Sequence, residues 1–233
     1  MTTDTDRRTT LKTGAAIAAL GSVLVGQAAA QTMPAAKPLE PKPLPFDPAK
    51  IKGMSEKILT SHYENNYQGA VKRLNQINDQ LASTDVDKAP GFLLNGLKRE
   101  QLIAWNSMIL HELFFAGLGD ASQPGAALTQ AMQRDFGSVE RWRADFVATG
   151  KALGGGSGWV LLTWSARDRR LVNQWASDHT TTLAGATPIL ALDMYEHAYH
   201  MDYGAKAAAY VDAFMGAIRW ANADALHDRL SKA

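Results

Sequence analysis

Asp193 and His197 stand four residues apart in the stretch Thr187-Pro188-Ile189-Leu190-Ala191-Leu192-Asp193-Met194-Tyr195-Glu196-His197-Ala198-Tyr199-His200-Met201-Asp202-Tyr203. It starts as an apolar run behind a proline and becomes an aromatic segment carrying two histidines and three carboxylates. The apolar residues ahead of Asp193 read as a short buried strand that delivers a carboxylate at its end. A carboxylate in a dry environment needs a cation. The stretch holds no lysine or arginine, so a metal ion held with the help of imidazoles is one candidate partner. A polar loop laid over a core is the other reading.

Two further histidines lie on helical patterns upstream. Ser55-Glu56-Lys57 offers an N-cap with an early acidic residue. From there Ile58, Leu59, His62, Tyr63, Asn66, Ala70, Leu74 and Ile77 recur at three- and four-residue steps, predicting an amphipathic helix to about Leu81. His62 lies on its apolar stripe. A lone histidine there is more often a core residue bonded to backbone than a ligand, unless other ligands can be named. Residues 83–91 are a turn-rich break, and Asn95-Gly96 closes a short connection. A second helix is predicted from about Lys98 to Gly117, with Leu102, Trp105, Asn106, Ile109, Leu113 and Ala116 on one face and His111 in its last third. Long helices joined by a short break pack antiparallel, which lets His111 approach His62.

Beyond Gly117-Leu118-Gly119-Asp120 the pattern changes. Residues 125–135 and 138–151 read as two short helices, and the glycine-rich run 154–158 reads as a tight turn into a strand. It is no phosphate loop, because no Gly-Lys-Ser/Thr follows. Residues 159–164 and 171–175 read as strands joined by the charged turn 166–170, residues 189–192 as a third strand, and 205–230 as mostly helical. Arg167, Arg169 and Arg170 make a solvated local cluster, Glu100 and Glu112 read as surface or helix-end charges, and His227 as a solvated position in the last helix. The fold class is α+β: an N-terminal antiparallel helical hairpin (55–119) followed by a C-terminal unit (120–233) with a small three-stranded antiparallel sheet and helices.

Composition narrows the chemistry. Among 233 residues, 46% are hydrophobic and 20% charged, enough for a sizeable core, and the formal charge of +1 offers no argument for nucleic acid. Cysteine is absent, so any metal is held by nitrogen and oxygen. The segment 1–30 resembles a twin-arginine export signal: Arg7-Arg8 precede Leu11 and Lys12, an apolar run spans 14–26, and Ala28-Ala29-Ala30 offers a cleavage site. Thirteen residues rich in alanine and glycine are too short to span a membrane comfortably. Cleavage after Ala30 is therefore expected, giving an exported, periplasmic chain with no stable membrane association and formally no net charge. Prolines at 34, 38, 41, 43, 45 and 48 make 31–54 an extended arm, a tether or a wrap.

Taken together, His62, His111, Asp193 and His197 supply three imidazoles and one carboxylate, a set suited to iron, manganese or zinc with a position left for water or a small substrate. The motif Asp193-Met-Tyr-Glu-His197-Ala-Tyr199 is similar to the signature of the iron/manganese superoxide dismutases. The resemblance runs from Pro43-Leu-Pro-Phe46 through Ser61-His62-Tyr63, the His111 helix and Gly156-Ser-Gly-Trp159 to Tyr210. It implies that these four residues bind one iron or manganese ion per subunit, with a water or hydroxide as fifth ligand, and that superoxide is converted to oxygen and hydrogen peroxide. It further implies that His179 hydrogen-bonds that solvent, that Trp159 walls the pocket, and that Glu196 crosses the interface of a homodimer, or of a tetramer built from it. A ferritin-like di-iron bundle would need Glu-x-x-His pairs, which are absent.

The chain also leaves the family pattern. Asn66 and Ala70 stand where many members carry the histidine and tyrosine of the substrate gateway. His200 replaces a tyrosine, Tyr195 a tryptophan, and Ala207, with Lys206 adjacent, the basic residue often found beyond Tyr203. His200 facing Asn66 across a dimer is the expected replacement gateway. The missing phenol keeps a rival reading open, an exported metal-binding protein without enzymatic activity on the same scaffold.

Overall fold

The helix expected from Ser55 to about Leu81 is present in the computed structural model, which describes residues 37–233, but it is not one regular helix. The export signal expected over 1–30 lies outside the described residues. Ser55 caps α1 (Glu56–Ser61) by accepting from the Ile58 N–H. A π-helical turn, His62–Tyr67, follows, in which the Gln68 N–H reaches back five residues to the Tyr63 carbonyl. Regular helix resumes as α2 (Gln68–Ser83). In a regular helix, positions five apart lie ~140° around the axis from each other. The wider turn brings His62 and Tyr67 to the buried side together.

The second helix starts seven residues earlier than Lys98. α3 runs Gly91–Ala116, so Asn95-Gly96 lies inside it, not in a connection. Its buried face is also different from the expected one. Ala104, Ser107, Met108, His111, Phe114 and Phe115 face the core, whereas Leu102, Trp105 and Ile109 remain 46%, 46% and 39% exposed. The helix is apolar nearly all round, so periodicity does not select a face. Close packing against α2 takes the small side chains Ala104 and Ser107 and turns Trp105 outward.

The proline-rich arm, from residue 37, wraps the hairpin. Leu39 exchanges two hydrogen bonds of 2.9 Å with the Asn75 side chain, the Lys42 N–H donates to the Tyr67 hydroxyl (2.7 Å), and the Tyr63 hydroxyl donates to the Lys42 carbonyl (3.0 Å). A 3-10 turn, Pro48–Lys50, leads into α1.

After α4 (Ala126–Phe136) and α5 (Val139–Ala152) come three antiparallel strands, β1 (Trp159–Ser165), β2 (Arg170–Ala176) and β3 (Ala186–Asp193), in the order β2-β1-β3. Every residue of β1 is buried, as a central strand covered on both faces requires. Pro188 cannot donate to the ladder, and the register shifts beside it, from Leu162 opposite Leu190 to Thr163 opposite Pro188. Past this irregularity Asp193 falls opposite Trp159. Gly158 enters β1 at φ +131°, with its missing Cβ only 2.2 Å from the Ala176 carbonyl oxygen. No other residue fits there.

A 3-10 turn, Glu196–Ala198, and the short α6 (His200–Tyr203) lead to α7 (Ala207–Gly216) and α8 (Ala221–Lys232). The break between the last two is a strand-like stitch to the end of α3: the Gly119 N–H bonds the Ala217 carbonyl (3.1 Å) and the Arg219 N–H the Gly117 carbonyl (2.8 Å). Phe114 stacks on Phe214 (5.8 Å), so the hairpin and the sheet-bearing part share one core. His227 is buried, not solvated as expected. Its ring packs edge-on to Trp164 at 5.5 Å, and neither nitrogen has a hydrogen-bond partner among the described residues.

Candidate metal centre

Four elements deliver the four side chains: the π-turn His62, α3 His111, the end of β3 Asp193, and the 3-10 turn His197. One donor atom from each lies within 4.8 Å of all the others. The Nε2 atoms of His62, His197 and His111 stand 3.0, 3.2 and 3.5 Å from Asp193 Oδ2. Asp193 is fully buried, and its Oδ1 accepts from the Tyr195 N–H at 2.8 Å, which turns Oδ2 to the imidazoles. His111 Nδ1 donates to the Ser107 carbonyl one turn earlier (2.6 Å). That fixes the tautomer: Nε2 carries a lone pair, is buried, and has no hydrogen-bond partner among the described residues.

The electrostatics agree with a metal-binding set. Burial alone would push the Asp193 carboxyl up. The charges and hydrogen bonds of His197 and His62 outweigh it and hold the group below the ordinary carboxylate range, so it is ionised. Burial lowers His62 against the opposing pull of Asp193. It takes His111 down to about 3, aided by the neighbouring His62. Burial thus disfavours the charged imidazole at His62 and His111 while Asp193 stays ionised, which suits these groups to ligate iron, manganese or zinc.

The walls are aromatic. Phe114 and Phe115 lie 5.0 and 5.2 Å from the His62 ring, and Trp159 meets His111 edge-on at 5.2 Å. Trp159 Nε1 donates to His179 Nδ1 (3.0 Å). The His179 ring lies 6.1 Å from that of His111 and stacks on Tyr195 at 4.7 Å, and Tyr195 stacks in turn on His197 at 5.3 Å. Asn106 donates to the His179 carbonyl (2.6 Å). Burial lowers the His179 pKa.

A family model described as the C-terminal domain of iron/manganese superoxide dismutases matches residues 124–226. The superoxide dismutase [Fe] of Cupriavidus metallidurans is 70% identical over 79% of this chain and 93% of its own length. The superoxide dismutase [Mn] 1 of Halobacterium salinarum is 35% identical over 76% and 89%, and the superoxide dismutase [Fe] of Aquifex pyrophilus 32% over 84% and 92%. The chain belongs to the iron/manganese superoxide dismutases. Its activity is the disproportionation of superoxide, with one iron or manganese ion as cofactor.

As a dismutase, the chain has an unusual surround. Asn66 lines a cavity that also reaches His179, and Ala70 leaves that cavity without a phenol. Tyr67 is no substitute. Its hydroxyl donates to Glu112 (3.1 Å) and accepts from the arm, and burial first, then the Glu112 charge, push its pKa up to about 12. Glu112, read as a plain surface charge, therefore holds this network, and Lys42 pairs with it as well. His200 and Glu196 are exposed in the single chain, and among the described residues no hydrogen bond joins His200 to Asn66. Sequence reasoning missed Ser107 and Asn106. Ser107 is detectable in principle, because a ligand histidine on a helix takes its orienting acceptor from four residues upstream.

Proposed function

We propose that this dismutase is an exported, iron-loaded homodimer in which His62, His111, Asp193 and His197 hold the metal, Trp159 seals the pocket and His179 is the hydrogen-bond donor beside it. The observation that carries the reading is the buried, unpartnered Nε2 of His111, aimed with two other imidazoles at one carboxylate oxygen. Four donors without a shared proton or cation would be a costly arrangement to bury. An iron or manganese ion held by His62, His111, Asp193 and His197 would supply the one-electron oxidation of one superoxide and the one-electron reduction of another. The chain's own residues do the rest. Phe114, Phe115 and Trp159 keep the ligand cluster dry, and Asp193 sets the charge inside it. Because His179 Nδ1 accepts from Trp159, its proton sits on Nε2, where it can be offered to solvent or substrate in the cavity. Disproportionation consumes two protons, so a donor at that place has a role.

Iron is favoured by the 70% identity to a relative named for iron. Protein loaded separately with iron and with manganese is assayed for bound metal and superoxide decay. One ion per chain with turnover in the iron form is expected; bound metal without turnover in either form would overturn the reading. Glu196, exposed in the same turn as His197 and directly before it, supports the dimer, and His200 with Asn66 is its gateway pair. A monomer by sedimentation, or His200→Ala with unchanged turnover and pH profile, would remove those two parts. Among the described residues no helix is long and apolar enough to cross a membrane. N-terminal sequencing of the exported protein tests cleavage after Ala30.

A further inference from the structure

The substrate is an anion, yet the basic residue that many family members carry beyond Tyr203 is Ala207 here, and it is buried. A cavity of about 240 Å³ opens between α2 and α3, lined by Asn65, Asn66, Ala70, Arg73, Ser107 and His179 among others. Two of its lining residues are tied to the donor cluster: Ser107, whose carbonyl holds His111, and His179, beside the His111 ring. Among the described residues that line it, Arg73 carries the permanent charge. Arg73 is 55% exposed and extends from α2 to pair with Glu100 of α3, itself 32% exposed. Arg99 also contacts Glu100, at 3.3 Å, so the carboxylate is shared between two guanidinium groups and does not fully neutralise Arg73.

Small polar residues line the rest of the path. Asn65 is turned back, its amide donating to the Ser61 carbonyl at 2.9 Å, which leaves Asn66, Ser107 and the arginine as polar groups of the lining beside His179. Ala70 fills little of the space that a larger side chain would close. A cationic group at the edge of a cleft raises the local concentration of a small anion and its rate of entry.

We infer that Arg73 is the steering residue that draws superoxide into this cavity, and that Glu100 attenuates it. The inference rests on the dismutase activity and on this cavity being its entrance. It departs from the expected pattern in placing the guiding charge on the first helical hairpin, at a position that takes no part in holding the metal.

The test uses full-length, metal-loaded protein and three variants, Arg73→Gln, Arg73→Lys and Glu100→Gln, each first checked for unchanged metal content and unfolding temperature. Two quantities are read: the ionic-strength dependence of kcat/KM, and the dissociation constant of azide from its absorption change on the iron form. Arg73→Gln is expected to lower kcat/KM about three- to tenfold at low salt and to weaken azide by a similar factor, at the lower end of electrostatic steering because Glu100 removes part of the charge. The deficit should shrink above about 0.15 M salt, where the screening length falls to ~8 Å. Arg73→Lys should keep most of the effect, and Glu100→Gln should strengthen both quantities. Wild-type salt slope and azide affinity in Arg73→Gln would overturn the inference and point to entry from the His197 face, while leaving the dismutase reading intact. Arg73→Gln and Glu100→Gln shifting both quantities in the same direction would equally overturn it, since that marks the pair as a structural brace. Loss of turnover in the parent protein would instead strike the reading beneath it.

Discussion

This protein buries histidines in two ways. At the metal centre, His62, His111 and His197 bring three Nε2 atoms to one carboxylate oxygen, and His111 is oriented from behind by a backbone carbonyl. On α8, His227 is as dry as many core residues at 4% exposure, but its ring packs edge-on to Trp164, and among the described residues both ring nitrogens lack a hydrogen-bond partner. Burial is therefore not what distinguishes a ligand. Convergence is: His111 has a donor atom aimed at other donors and its second nitrogen held by the Ser107 carbonyl, whereas His227 has neither among the described residues. One site becomes useful when a cation arrives. The other is stable while it stays neutral.

The largest break in this comparison should come from the orienting end of the cluster. His111→Ala removes the lone pair that lacks any other partner, and bound metal measured by elemental analysis should fall far below one ion per chain, with superoxide decay near the uncatalysed rate. Retained stoichiometric metal would mean that the remaining three side chains suffice. Next comes His179. His179→Ala should keep the metal but lower turnover about 10- to 100-fold, as residues just outside a ligand shell do. His179→Gln should recover part of the rate, because an amide can again donate, and the pH profile of turnover should move in the alanine variant. Equal rates in both variants would reduce His179 to a packing partner of Trp159 and Tyr195.

The smallest effect concerns His227. Burial first, and the Arg134 charge second, lower its pKa from 6.5, while Asp135, Asp224 and Asp228 pull the other way. The unfolded chain takes up a proton near 6.5 and the folded chain only below that. Its contribution to stability is thus level above the unfolded value and is lost as pH falls from there toward the folded one. Metal-loaded His227→Leu should accordingly show a shallower drop in unfolding temperature between about pH 7 and pH 5, by no more than one proton's share of the slope, with unchanged activity at neutral pH. A slope identical to the parent would assign the acid sensitivity to other groups.

How much of this was legible depends on what each residue has to satisfy. The strands, the short helices and the turn at 154–158 were readable because alternation, caps and glycine are local signals. The four donors were readable from their types together with a family motif. The buried face of α3 was not, because a helix apolar on all sides carries no phase, and the choice between Ala104 and Trp105 is made by how closely α2 approaches. The π-turn was hidden for a related reason: it changes the phase of one helix by a single residue, and only the joint burial of His62 and Tyr67 reveals it. His227 was misread because the last helix is polar around it, and only the tertiary position of Trp164 and α4 encloses its ring.

One contact joins the two ends of this site in a way that bears on its assembly. The N–H and hydroxyl of Ser55, the cap of the helix leading to His62, donate to the Asp202 carboxylate at 2.7 and 2.6 Å, across 147 residues of chain. Tyr203 next to it donates to the Gly53 carbonyl. The first ligand's helix is thus fastened at its start by the residues that follow the last ligand. A ribosome that has made the hairpin has released two of the four donors and none of this fastening. The complete chelate forms late, in a single long-range closure, so the ion meets either half a site or a finished one.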